Sequence, residues 1–194
     1  MTLKEMFAEF QPITVNENII LRQVKPEQDC EKYFEIYSDA DALKYYLGYG
    51  KPPANQDQVK KIIQNQINAF EKCREYNWTI ADRTTDEVLG RILLSDFQNN
   101  NTAANIGYFL NRKYWNRGIM TECVKVVVKF GFEQLKLERI FTSVEPNNIA
   151  SIKVLEKNDF TMEGHLRHCF PLNDGLHDCL IYSKLFTDSI QALR

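Results

Sequence analysis

The tightest constraint on the fold is a strand, a turn and a helix that lead into a second strand. Ala103–Leu110 reads as the first strand, and it runs into Trp115-Asn116-Arg117-Gly118-Ile119-Met120-Thr121-Glu122. A helix, Ile119–Leu135, leaves this turn, and Arg139–Val144, rich in β-branched and aromatic residues, reads as the returning strand. A strand that returns after one helix lies parallel to the first, through a right-handed crossover. The turn itself suits a phosphate. The first N–H groups of a helix lack intrahelical partners, and the macrodipole leaves partial positive charge there. Arg117 adds a full charge, and Gly118, without a Cβ, lets backbone come close. An ordinary strand-to-helix turn with a solvated arginine reads equally well on this octet alone.

The flanks supply the other layers. Thr2–Phe10 reads as a short amphipathic helix and Asn18–Val24 as a first strand ending before Pro26. Pro26–Ser38 carries Cys30, Tyr33, Phe34 and Tyr37 at helical spacing, with Pro26 in the first turn. A second short helix is expected over Asp39–Tyr46. Asn55 caps a long one, Gln56–Tyr76, with Val59, Ile62, Ile63, Ile67 and Phe70 on one face. The period then changes. Asn77–Ala81 and Val88–Phe97 form a hairpin around Asp82–Glu87, so an antiparallel meander leads into the organising turn. After the crossover, Asn148 caps a last helix, Ile149–Asn158. Phe160–Phe170 and His177–Phe186 close the chain as a hairpin.

Composition narrows the class. At 194 residues the chain reads as one domain (18–187) with an N-terminal extension (1–17) and a short tail (188–194). Its 44% hydrophobic content holds no run long enough to span a membrane, and its start lacks a secretory layout, so a cytoplasmic protein with no membrane partner is expected. A net charge of −2 argues against a nucleic-acid surface while leaving room for a local basic patch. The five cysteines are odd in number and lack a CxxC pair, which predicts reduced structural thiols. His165, His168 and His177 share the terminal hairpin with Cys169 and Cys179, but the spacing fits no compact zinc motif, so no metal is expected.

Taken in order, these segments resemble the GNAT superfamily of acyl-CoA-dependent N-acyltransferases. The nearest likeness is to the Rim-type branch that acetylates the N-terminal alanine or serine of ribosomal proteins. The resemblance rests on Leu21-Arg22, Ile106-Gly107-Tyr108-Phe109-Leu110, Tyr114 through Glu122, Asn148-Ile149-Ala150-Ser151, Leu155 through Phe160, Glu163-Gly164 and Gly175-Leu176-His177-Asp178. It implies a single α/β domain: a mixed, mostly antiparallel sheet, splayed at its centre to hold acetyl-CoA, with helices on both faces. Four positions in the loop and at the end of the last helix depart from the superfamily pattern. Trp115 replaces the loop's usual first residue, as is common in this branch. Met120 replaces a small residue, so its side chain must point away from the phosphates. Asn116 stands where glycine is frequent, and Asp159 where glycine usually ends the last helix.

The resemblance also implies the chemistry, direct attack of an amine on the thioester of acetyl-CoA. It assigns backbone Phe109 and Leu110 to the pantetheine, and Trp115, Asn116, Arg117, Gly118, Ile119, Met120 and Thr121 to the cofactor turn. Asn148 would bond the pantetheine, cap its helix, or do both. Ser151 would donate a proton to the leaving thiolate or serve as an ordinary first-turn capping residue. Glu163 is a positional candidate for a base, with a solvated glutamate as the alternative. The superfamily's tyrosine acid is replaced here by Leu155, and an acid found in some relatives by Phe170. Tyr45, Tyr46 and Tyr49 would line an acceptor cleft or pack on the core. Three functions follow: acetylation of a protein N-terminus, acetylation of a small amine such as a polyamine, and a CoA-binding or interaction module without catalysis. Partners are acetyl-CoA, an amine acceptor and, optionally, a second copy of the chain.

Overall fold

The computed structural model describes residues 2–46, 52–172 and 174–191. A short helix α1 (Leu3–Met6) and strands β1 (Ile13–Thr14) and β2 (Ile19–Arg22) are followed by α2 (Pro26–Ser38) and α3 (Gln56–Glu71). Next come the meander β3 (Glu75–Asp82), β4 (Val88–Gln98) and β5 (Ala103–Leu110), then α4 (Ile119–Glu133) and β6 (Arg139–Val144). The chain finishes with α5 (Ile149–Glu156), β7 (Thr161–Leu172), β8 (Gly175–Leu185) and α6 (Phe186–Gln191).

Eight strands form one sheet in the order β1-β2-β3-β4-β5-β6-β8-β7. Every neighbouring pair is antiparallel except β5 and β6, which run parallel as the crossover requires. Alternation along β5 divides the core. Ala104, Ile106 and Leu110 join a large cluster with Cys123, Val124 and Val127 of α4 and Leu155 of α5. Phe109 points the other way, into a smaller cluster with Tyr33, Ile36, Val59 and Ile63 from α2 and α3. The expected splayed α/β architecture, with helices on both faces, is the one observed.

Several boundaries differ from the sequence reading, for local reasons. The long helix stops at Glu71 rather than Tyr76. Cys73 is left-handed (φ 54°), and Arg74 N–H donates to the carbonyl of Ala69, which closes the helix. Tyr76 kept the apolar period but belongs to β3, where its ring stacks on Trp78 at 4.4 Å. The expected N-terminal helix shrinks to Leu3–Met6, and the residues after it fold against this stack. Gln11 N–H donates to the Tyr76 hydroxyl at 2.8 Å, and Trp78 Nε1 donates to the carbonyl of Gln11 at 3.0 Å. With Met6 and Phe7 buried and β1 on the sheet edge, the first residues share the domain's core. Asp39–Tyr46 forms turns instead of the expected helix, begun where Ala42 N–H donates to the carbonyl of Asp39.

The terminal hairpin also departs from expectation. Cys169 and Cys179, anticipated as reduced thiols, are bonded to each other with their Cα atoms 6.3 Å apart. Cys30, Cys73 and Cys123 are free. A bulge between Leu166 and Phe170 breaks the hairpin register, so the pairing could not be found by counting from the turn.

Candidate active site

The site begins where the parallel pair ends. β5 and β6 pair only at Ala103–Arg139, Ala104–Ile140 and Asn105–Phe141. Beyond that point β5 stays paired to β4 as far as Leu110, and β6 stays paired to β8 as far as Val144. The facing edges of β5 and β6 are therefore unpaired from Ile106 and Thr142 onward, a fork whose backbone groups need outside partners.

The organising turn sits at the open end of this fork. Gly118 is the N-cap of α4 in the left-handed conformation (φ 76°), and among the described residues no side chain caps the helix's first amides. Added bulk at Gly118 would meet nothing within 4 Å, so glycine serves the backbone conformation there. Asn116 is left-handed as well (φ 59°), which asparagine tolerates better than most residues; this accounts for its standing where glycine is frequent. Asp159 likewise adopts φ 58° after α5. Met120 is buried in the core, Ile119 packs against it, and Thr121 gives its carbonyl to Asn158 Nδ2 at 3.2 Å. Trp115 anchors the turn, with Nε1 donating to the carbonyl of Leu110 at 2.9 Å. Its side chain holds the turn onto the end of β5, a local role the sequence reading did not foresee.

Charge around the turn is sorted. Arg112 pairs with Asp39 at 2.8 Å and Asp41 at 2.6 Å, and Lys113 pairs with Glu35. Arg117 is exposed, lies over the Tyr114 ring at 5.4 Å, and has no carboxylate partner among the described residues. Of the three cations it is the one left uncommitted beside the bare helix start.

On the other side of the fork, Asn148 caps α5, its Oδ1 accepting from Ser151 N–H at 3.2 Å. The Ser151 hydroxyl bonds the Tyr108 hydroxyl at 2.8 Å, joining β5 to the first turn of α5. Burial pushes the Tyr108 phenol well above its ordinary pKa, so it stays protonated. Tyr108 lay within the motif read from the sequence, but no role was assigned to it. Leu155, at the position of the superfamily's tyrosine, is fully buried.

Glu163 is not brought to the fork. It pairs with Arg139, whose position opposite Ala103 puts it at the closed end of β5 and β6. Arg139 Nη1 donates to Glu163 Oε1 at 2.8 Å, and this pairing, with help from Ser183, pulls the carboxyl down to about 2. The carboxylate expected as a candidate base therefore stands at the paired end of the two strands, bonded to Arg139, rather than beside the unpaired edges. Glu35 is also held at about 2, chiefly by Lys113. Both folded pKa values lie below the ordinary 4.5, so the stability they confer is complete above it and is lost as pH falls toward 2. A thermal melting series should therefore decline below about pH 4.5, with the decline blunted in a Glu35→Gln, Glu163→Gln double variant.

The aromatic trio divides. Tyr46 meets Phe109 edge-on at 5.1 Å, beside the fork on the α2/α3 face, while Tyr45 carries Lys44 over its ring at 5.0 Å. Tyr49 lies outside the described residues. In the hairpin, His165 Nε2 bonds Asp178 Oδ2 at 2.8 Å, and Asp178 Oδ1 accepts from the backbone N–H of His168. His177 bridges Glu145 and Asp174, and the Glu145 contact leads in raising its pKa.

A forked parallel pair with a bare, cation-flanked helix start at its open end defines an α/β transferase built to hold an elongated, phosphate-bearing acyl carrier. The chain belongs to the GNAT acetyltransferase family: residues 18–161 match the family model described as Acetyltransferase (GNAT) domain. It is 35% identical over 166 residues to the Probable N-acetyltransferase YjcK of Bacillus subtilis (strain 168), covering 85% of this chain and 87% of that protein. Among solved structures it is similar to RimL, a ribosomal L7/L12 alpha-N-protein acetyltransferase in complex with coenzyme A. There the TM-score is 0.81 and the identity 21%, over 90% of this chain and 98% of that one. It is also similar to spermidine N-acetyltransferase from Vibrio cholerae in complex with CoA and spermine. The TM-score is 0.76 and the identity 17%, over 90% and 99% of the two chains.

Proposed function

We propose that this N-acetyltransferase moves the acetyl group of acetyl-CoA onto the N-terminal α-amine of a protein. The observation that carries the reading is the fork: unpaired β5 and β6 edges lie between the bare start of α4 and the Tyr108–Ser151 pair. In this reading the amides of Ile119–Thr121 and the Arg117 guanidinium hold the pyrophosphate. The free edge of β5 at Phe109 and Leu110 pairs with the pantetheine, and Asn148 bonds it through its amide nitrogen. The amine nitrogen attacks the thioester carbonyl carbon, the C–N bond forms, and the C–S bond breaks. A β5 amide at the fork stabilises the oxygen as it gains charge. The proton released by the amine leaves to water, and the CoA sulfur departs with a hydrogen bond from Ser151.

Amine pKa favours the α-amine. An α-amine near ~7.8 is roughly 14% neutral at pH 7, whereas a lysine near ~10.4 is only about 0.04% neutral. The difference, about 3.5 kcal/mol, is what a dedicated base would have to supply for the second substrate. Glu163 is locked to Arg139, and Phe170 is buried where some relatives carry an acid, so the chain is better matched to the amine that needs less help.

A small-amine acceptor is the second reading, favoured by the Tyr46–Phe109 contact beside the fork, which could hold a cation against aromatic faces. Thiol release from acetyl-CoA separates the two. Peptides with a free N-terminal alanine or serine should be turned over, while the same peptides blocked at the N-terminus but carrying lysine, and a polyamine panel, should be slower by at least about tenfold in kcat/KM. Faster turnover of spermidine than of every free-N-terminus peptide would reverse the assignment.

A further inference from the structure

Among the described residues, the Tyr108 hydroxyl has one hydrogen-bond partner. Its side chain is half-buried, and its hydroxyl lies 2.8 Å from Ser151 Oγ. Either oxygen of this pair can donate, and the arrangement that gives a half-buried phenol proton an acceptor is the one in which Tyr108 donates to Ser151. The serine is then constrained on two sides. Its N–H is held by Asn148 Oδ1, and its oxygen has already accepted one hydrogen bond. The remaining freedom is the direction of the serine's own O–H.

In the opposite arrangement, Ser151 would donate to Tyr108 and leave a half-buried phenol proton without a protein acceptor among the described residues. Satisfying the phenol therefore turns the serine proton outward, toward the fork beside β5. We infer that Tyr108 is a positioning residue: it fixes Ser151 as a hydrogen-bond donor aimed at the sulfur of CoA. Tyr108 does not itself gain or lose a proton. Ser151 stabilises the negative charge on the sulfur as the C–S bond breaks, and the thiolate takes its proton from water after product leaves. This inference rests on acetyl-CoA occupying the fork, as proposed above.

The test uses the full-length protein with CoA alone, so that no acceptor has to be known. The pKa of the bound CoA thiol is read from thiolate ultraviolet absorbance across a pH series, and affinity from calorimetry. In the wild type the bound thiol should titrate roughly one pKa unit below the ~8.5 of an ordinary thiol. Tyr108→Phe keeps the ring, so CoA should bind within about twofold of wild type while the thiol pKa returns at least halfway to the free value. Ser151→Ala should return it fully, and adding Tyr108→Phe to Ser151→Ala should change nothing further, because the phenol acts only through the serine. With a peptide that is turned over, Tyr108→Phe should lower kcat about fivefold at unchanged KM for acetyl-CoA, and should have no effect on kcat in the Ser151→Ala background.

A merely structural tyrosine would shift affinity or thermal stability in both serine backgrounds and leave the thiol pKa alone; that result overturns the inference. So does a bound thiol whose pKa matches that of free CoA in the wild type. Failure of the wild type to bind CoA would instead sink the proposed occupancy of the fork, an outcome that calorimetry separates from the others.

Discussion

Asp29→Ala should destabilise the protein by about 3 kcal/mol or more, the loss expected when one partner of a buried ion pair is removed. Arg22 lies on β2 and Asp29 in the first turns of α2, with side chains only 9% and 2% exposed. The pair is bidentate: Nη1 and Nη2 of Arg22 each donate to one carboxylate oxygen at 2.8 Å. Asp29 also accepts the N–H of Lys25, the residue capping α2, at 2.7 Å. One carboxylate therefore satisfies a strand and a helix start together. Removing it leaves the Arg22 guanidinium desolvated, with Asp86 and the carbonyl of Gln23 as its remaining acceptors.

Asp86 is 43% exposed and also serves Lys25, so Asp86→Ala should cost clearly less. Urea unfolding measures both variants through the midpoint at unchanged slope. Equal losses for the two would show that burial does not set the cost. The double variant Arg22→Met, Asp29→Leu should recover much of what Asp29→Ala loses, because an apolar pair of similar volume carries no uncompensated charge.

What could be read from the sequence was whatever its own neighbourhood decides. The crossover from Ala103 to Val144 was legible because β-branched runs flank an amphipathic helix, and parallel strands follow from that order alone. α2 was legible from Pro26 and the spacing of its aromatic residues. The resemblance asked that the Met120 side chain point away from the turn, and it is buried in the core. Misreadings arose where a long-range contact overrode a local pattern. Tyr76 continued the helical period of α3, yet its hydroxyl is claimed by Gln11 and Glu9, far away in sequence. Glu163 looked like a free carboxylate until Arg139, 24 residues earlier, was brought beside it. The Tyr108–Ser151 bond spans 43 residues, and neither residue carries a local mark of the other. The bond from Trp115 to the carbonyl of Leu110 joins residues only five apart, yet nothing in the octet marks it, because a backbone acceptor leaves no trace in the sequence.

Arg117→Glu should weaken binding of acetyl-CoA by about a hundredfold, against less than about twofold for Ser151→Ala. The argument is electrostatic. A unit charge about 5 Å from another, at an effective dielectric near 20, interacts by about 3 kcal/mol before screening by salt. Reversing the sign turns one attraction into a repulsion, so a net change of about 2.7 kcal/mol, or about a hundredfold, survives substantial screening. Other residues of the turn cannot readily compensate. Arg112 and Lys113 are already neutralised by Asp39, Asp41 and Glu35, and freeing either would break pairs that tie the turn to α2 and the segment after it. Ser151 sits at the sulfur end of the same ligand in this reading, so its hydroxyl contributes to the leaving group and little to the grip on the phosphates. Calorimetric titration with CoA at several salt concentrations tests both halves. The Arg117→Glu defect should shrink as ionic strength rises, while the Ser151→Ala value stays put. If the two substitutions weaken binding equally, or if the Arg117→Glu loss ignores salt, the diphosphate does not lie at the start of α4.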